Sequence, residues 1–205
     1  MVVYAPGWQT DVSMFLDDAT ALTEKGYAGL LLQEAPSLQC WTFDPTVDCR
    51  GVVENVTQER RGLDVLETLP QIDAKRIGFV GWSNGAHLLG GVLAGVDDRV
   101  KAYALIGMAR PASNYGGLGH PVPKGAKGDR LRAQLVLWDP VTYLSHNSGS
   151  AFLFINGKQD VNAMRDAPAF MAAAPNPKTW KVYDGGHGLT PAAGEYLQQC
   201  LQESL

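Results

Sequence analysis

Short apolar runs alternate along this chain with stretches whose apolar residues recur every three or four positions. The short runs, rich in β-branched and aliphatic residues and bounded by Gly, Pro, Asp or Asn, predict strands at Val2–Ala5, Tyr27–Gln33, Arg76–Trp82, Val100–Ile106, Ala151–Asn156 and Thr179–Tyr183. Between them, Asp11–Lys25 reads as a helix with Met14, Phe15, Ala19 and Leu22 on one face and Gly26 placed to end it. Further helices are predicted at Glu54–Leu69, stopped by Pro70, at Asn84–Ala94, stopped by Gly95, and at Asn162–Ala174 and Ala192–Leu201. The stretch from Arg110 to Gly128 is rich in Gly and Pro and weakly periodic. It predicts a loop over the strand ends, with a small lid or loop region at about 110–135.

Strand-helix alternation from end to end implies an α/β protein, a three-layer α/β/α sandwich with a mainly parallel six-stranded sheet, in one domain over 1–205. Ligands of such sheets bind beyond the carboxyl ends of the strands, where loops converge and helix N-termini point in. Polar residues that follow strands are therefore the ones to inspect.

Composition changes this picture little. A chain of 205 residues that is 45% hydrophobic and 19% charged can bury a core of its own. A formal charge of −4 offers no basic footprint for nucleic acid, and the Arg60–Arg61 pair reads as part of a solvated helix face. No apolar run approaches the roughly 20 residues of a membrane span, and residues 1–20 lack a basic start followed by an apolar stretch, so no export signal is visible. The three cysteines leave at least one unpaired within the chain. Cys40 and Cys49 share one predicted loop and fit either a bridge or free thiols. Without a Cys-x-x-Cys or a His/Cys cluster, the sequence predicts no metal site.

The third strand runs into Gly81-Trp82-Ser83-Asn84-Gly85 and then directly into an apolar helix, the context a Gly-x-Ser-x-Gly elbow requires. A nucleophile at such a turn is raised above the sheet, and the flanking glycines relieve crowding between strand and helix. A plain glycine-rich turn with a helix-capping serine is the alternative. A serine hydroxyl needs a base, and His187 follows the last strand in Tyr183-Asp184-Gly185-Gly186-His187-Gly188. His120 and His146 lie in irregular segments, and His87, one helical turn beyond Ser83, suits packing or a local hydrogen bond. The carboxylate that orients the imidazole is assigned to Asp160, after strand five; the chain order Ser83, Asp160, His187 suits this architecture. Asp184 is the rival, although its position at the strand end suits a turn role. Backbone N–H groups of Asn84 and Trp8 are the expected oxyanion donors, with Gln9 next after Trp8. Aromatic side chains able to line the site are Trp8, Trp41, Phe43, Trp82 and Tyr115, and Gln9 is placed with them as a substrate contact.

The Pro-Gly-Trp after strand one, the Gly-Trp-Ser-Asn-Gly elbow, the Asn-Gly-Lys-Gln-Asp loop and the Tyr-Asp-Gly-Gly-His-Gly loop together resemble the α/β-hydrolase superfamily. Within it the chain is similar to the small esterases of the dienelactone-hydrolase and prolyl-oligopeptidase-like branch. The resemblance implies a minimal α/β-hydrolase fold that starts at the third family strand, without the leading antiparallel hairpin, like minimal lipases and cutinases. Pro6-Gly7 stands where the family usually has His-Gly, and Ser83 stands where dienelactone hydrolases carry cysteine, which argues against that particular activity.

The function expected is a cofactor-free serine esterase acting on a small-molecule ester through an acyl-enzyme. A peptidase or amidase with the same triad is the alternative within enzymes, disfavoured by the lack of a second domain to grip a peptide. A silent hydrolase-like binding protein is the alternative outside them. Acyl length, compartment and oligomeric state are not legible in the sequence.

Overall fold

The structure, a computed structural model, describes residues 1–34 and 42–204. Its centre is an all-parallel sheet of six strands: β1 (Val2–Ala5), β2 (Gly29–Leu31), β3 (Ile77–Trp82), β4 (Val100–Ile106), β5 (Ala151–Gly157) and β6 (Lys178–Tyr183). They lie in the order β2-β1-β3-β4-β5-β6. The chain therefore moves outward from β1 in both directions, and the order reverses between β1 and β3. That reversal opens a crevice at their carboxyl ends, where loops leave to opposite faces.

Alternation along each strand divides the interior in two. Val3, Phe79, Tyr103, Leu105, Phe152 and Phe154 face one cluster, which is completed by Leu63, Leu66, Leu88, Trp138 and Phe170. Val2, Tyr4, Val80, Ala104, Ile106, Leu153 and Ile155 face the other, against Phe15, Ala19, Leu22, Ala193, Leu197 and Leu201. A parallel sheet covered on both faces in this way reads as near-continuous apolar runs, which is why its strands were visible in the sequence.

The helices on the second face are a 3₁₀ turn at Val12–Phe15, α1 (Leu16–Thr23) and α8 (Pro191–Ser204). On the first face lie α2 (Pro45–Glu67), a π-helical stretch Gly85–Gly90 running into α3 (Gly91–Leu93), α6 (Pro140–Leu144) and α7 (Val161–Ala173). Among the described residues no helix is long and apolar enough to cross a membrane.

Three expectations are corrected. The second helix begins at Pro45 rather than Glu54: the Asp44 carboxylate accepts from the N–H groups of Thr46 (2.8 Å) and Val47 (3.3 Å), and Pro45 occupies the first turn. This is an N-cap signature, worth about 1 kcal/mol, hidden because the turns it starts are largely exposed. Cys49 accordingly sits on α2 rather than in a loop, while Cys40 lies outside the described residues. The segment predicted as loop from Arg110 to Gly128 is mostly helical, with α4 (Pro111–Gly117), α5 (Gly125–Leu135) and a 3₁₀ turn at Val136–Trp138. Only Gly128 and Leu135 of α5 are buried, so it carries no apolar stripe for a periodicity argument to detect. Strand β2, at the edge of the sheet beside β1, keeps three paired residues instead of seven.

Candidate active site

Ser83 sits at the end of β3 with φ +54°, in the left-handed region that a residue with a Cβ seldom occupies. Neighbouring contacts hold it there. Its N–H donates to the carbonyl of Ile106 on β4 (2.9 Å), and its own carbonyl accepts from the N–H groups of Ala86 (3.0 Å) and His87 (2.9 Å). The next helix runs so close to the strand that a Cβ on Gly81 would lie 2.3 Å from the carbonyl oxygen of Gly85. A Cβ on Gly85 would lie 2.1 Å from that of Ala5. Both elbow glycines are therefore required by backbone approach, the physical content of the Gly-x-Ser-x-Gly spacing.

His187 arrives from the loop after β6. Its Nε2 lies 2.9 Å from Ser83 Oγ, and its Nδ1 lies 2.5 Å from Asp160 Oδ2. The loop is shaped by Tyr183, whose hydroxyl lies within hydrogen-bond distance of the carbonyls of Gly186 and Gly188. Gly157 packs so tightly under it that a Cβ there would meet the Gly186 oxygen at 1.9 Å. Gly107, at the end of β4 with φ +64°, makes room for the imidazole: a Cβ there would lie 3.0 Å from His187 Cε1. The Trp82 indole N–H donates to the His187 carbonyl (2.8 Å), and the two rings are 5.3 Å apart.

Asp160 is 9% exposed and caps α7, with Oδ1 accepting from the N–H of Ala163 at 3.1 Å. Burial works to raise its pKa. The hydrogen bonds from His187 and from the amides of Ala163 and Asn162, with the charge of His187, outweigh burial and hold the carboxyl below the usual range. Asp184 is exposed and accepts instead from Gln159 Nε2 (2.9 Å), so of the two aspartates considered from sequence it is Asp160 that meets the histidine.

A cleft of about 340 Å³ opens over Ser83, lined by Trp8, Trp82, His187, Asn162, Asn114 and Leu118 among others. Asn84 also lines it and begins the helix after Ser83, where the first N–H groups have no intrahelical acceptor. The Pro6–Trp8 loop closes the other side of the elbow. Gly85 N–H donates to the Pro6 carbonyl (2.9 Å), and a Cβ on Gly7 would lie 3.0 Å from Ser83 Cβ. Trp8 and Asn84 thus reach the cleft beside the serine from two chain segments.

Other expected lining residues are elsewhere. Tyr115 is buried beneath the surface, 1% exposed, with its hydroxyl donating to Asp48; it is a core residue of the α4 region and not a wall of the cleft. Phe43 packs edge-on against Tyr115 and stacks on His120, away from Ser83. Gln9 is exposed, with φ +56°, and does not line the cleft. Trp41 lies outside the described residues. Conversely, Asn114, Gly117 and Leu118 lie in a segment read as irregular, and Asn162 in a helix read only as packing. No motif marks them: Asn114 and Gly117 lie on a helix the sequence did not reveal, and the predicted helix carrying Asn162 gave no sign of facing the cleft.

No protein-family model matches the chain, and a comparison with curated proteins finds no match. Among solved structures the fold is well represented, and this chain has the α/β-hydrolase fold. Similar structures include an acetyl xylan esterase from Paenibacillus sp. R4 (TM-score 0.75, 17% identity, covering 100% of this chain and 74% of that one). Acetyl xylan esterase 1 from a Thermoanaerobacterium species superposes at TM-score 0.70 and 16% identity, covering 98% of this chain and 74% of the other. A dienelactone hydrolase from Anabaena variabilis gives 0.67 and 17%, covering 99% and 83%.

Proposed function

We propose that the protein is a serine hydrolase that cleaves carboxylic esters. The observation that carries this reading is the unbroken chain from Ser83 Oγ to His187 Nε2 (2.9 Å) and from His187 Nδ1 to Asp160 Oδ2 (2.5 Å), ending at a serine that opens into a cleft. The acetyl xylan esterases among its structural relatives support the ester class.

In this reading Ser83 Oγ attacks the ester carbonyl carbon while its proton passes to His187 Nε2. The carbonyl oxygen becomes an oxyanion facing the amides of Asn84 and Trp8. Collapse breaks the carbon-oxygen bond, and the proton on His187 goes to the departing alkoxide, leaving an acyl-serine. A water molecule then repeats the sequence, giving up its proton to His187, releasing the carboxylic acid and restoring Ser83. Asp160, kept ionised by its hydrogen bonds, fixes the ring with Nδ1–H toward itself and stabilises the imidazolium.

Turnover of p-nitrophenyl acetate tests the proposal. Ser83→Ala should lower kcat by about 10⁵–10⁶, and a fluorophosphonate should label Ser83 and no other serine. Labelling at another serine, or equal turnover by the variant, would overturn it. A peptidase or amidase of the same triad would be recognised by faster cleavage of matched anilides than of esters.

A further inference from the structure

The helix after the nucleophile carries a buried group that the mechanism above does not use. His87 is 1% exposed and lines the cleft one helical turn beyond Ser83. Its Nε2 lies 2.6 Å from Asn114 Nδ2 on α4, the helix that crosses above the strand ends. The Asn114 amide N–H donates in this contact and His87 Nε2 accepts. Burial, followed by the nearby charge of His187, pushes the His87 pKa down to about 3, which keeps the ring neutral and the acceptor available.

Helix α4 is fastened at several further points. The Arg110 N–H that precedes it donates to Asp166 (2.8 Å), and the Arg110 guanidinium donates to Asp139 (2.7 Å). Tyr115 is tied through its hydroxyl to Asp48 at the start of α2. At its end, a Cβ on Gly117 would lie 2.5 Å from Asn162 Nδ2, so α4 rests directly on α7. Of these ties, His87–Asn114 is a hydrogen bond between two residues that line the cleft.

The two sides of the cleft have different duties. His187 and Trp82 belong to the side of the second core cluster, and His187 Nε2 must hand its proton to the leaving alcohol. Asn114 and Leu118 come from α4, whose Tyr115 is anchored in the first cluster. An acyl chain that leaves the carbonyl away from the leaving group would meet the His87–Asn114 wall of the cleft.

We propose that the His87–Asn114 hydrogen bond fixes α4 as a rigid wall of the acyl subsite and restricts the enzyme to esters of short acyl groups. This rests on the ester-hydrolase reading of Ser83. His87 and Asn114 are positioning and specificity-determining residues, with no proton transfer of their own.

The test compares kcat/KM for p-nitrophenyl acetate and octanoate, with amide hydrogen exchange over residues 111–118 measured on the same proteins. Asn114→Ala and His87→Leu should each raise the octanoate-to-acetate ratio by about tenfold, the scale on which pocket contacts discriminate among hydrocarbon chains, and should speed exchange in α4. His87→Gln, whose side-chain oxygen can still accept from Asn114, should keep the wild-type ratio and exchange. A ratio unchanged in both disrupting variants, with the two esters losing rate in parallel, would overturn the proposal even if exchange quickened. Unchanged exchange in α4 would overturn it too. Absence of ester turnover in the wild-type protein would count against the function assigned to Ser83; exchange over 111–118 would then still decide whether the bond holds α4.

Discussion

Asp160 and Glu59 are buried to a similar degree, 9% and 4% exposed, yet their carboxyls are driven in opposite directions. Burial acts on both and would raise both. At Asp160 it is opposed by His187 and by the amides of Ala163 and Asn162, and the group stays ionised. Glu59, on α2, has no hydrogen-bond partner for Oε2 among the described residues. Burial, and after it the charge of Glu34, pushes its pKa up to about 8. Glu34, beyond β2, is likewise pushed to about 8 by burial. Depth in the protein therefore does not decide whether a carboxyl is charged. The number of donors aimed at it does.

The comparison is broken most severely at Asp160. Asp160→Asn keeps the shape of the side chain but cannot hold the imidazole in the same tautomer with a negative charge behind it, so kcat should fall by about 10⁴. Asp184→Asn should cost less than about tenfold, since Asp184 bonds Gln159 on the surface. Circular dichroism and assay of both variants on one activated ester check the ranking, and a reversed order would transfer the orienting role to Asp184.

The smallest effect is on stability, and it separates the two carboxyl sites by sign. For Glu59 the folded pKa lies above the ordinary glutamate value, so its contribution is fully present in acid and is lost as pH rises through about 8. For Asp160 the folded pKa is depressed, so its contribution is present above the ordinary carboxylate range and is lost as pH falls through the folded value. Glu59→Gln should therefore flatten the fall in Tm between the ordinary glutamate range and about pH 8. Asp160→Asn should flatten the acid limb. Parallel Tm curves for Glu59→Gln and wild type would mean that Glu59 is already ionised at neutral pH.

Much of this was readable along the chain. The inner strands β1, β3, β4 and β5 show as apolar runs because they are covered on both faces, and the elbow shows as Gly-x-Ser-x-Gly because two backbones approach within contact distance on either side of Ser83. His187 was legible for a similar local reason, being set among glycines directly after a strand. The helices of the Arg110–Leu135 region were not, since an exposed helix such as α5 has no apolar stripe. Tyr115 was misplaced for a related reason: an aromatic ring between Asn114 and Gly116 gives no sign of which way it faces, and packing turned it to Asp48.

The sequence by itself determined the alternation of elements, the parallel sheet that follows from it, and the strand-end positions of Ser83, Asp160 and His187, because short-range backbone constraints and burial on both faces are written into local composition. The contact of Asp160, preferred from sequence over Asp184, with the histidine is seen in the tertiary structure, which alone decided that Gly107 vacates the space the imidazole fills and that His87 finds Asn114 across the cleft. Each of those is a contact between residues of different elements, set by how the sheet orders its strands and how closely the helices above them pack. A one-dimensional pattern holds no information about such a distance until the layers are assembled.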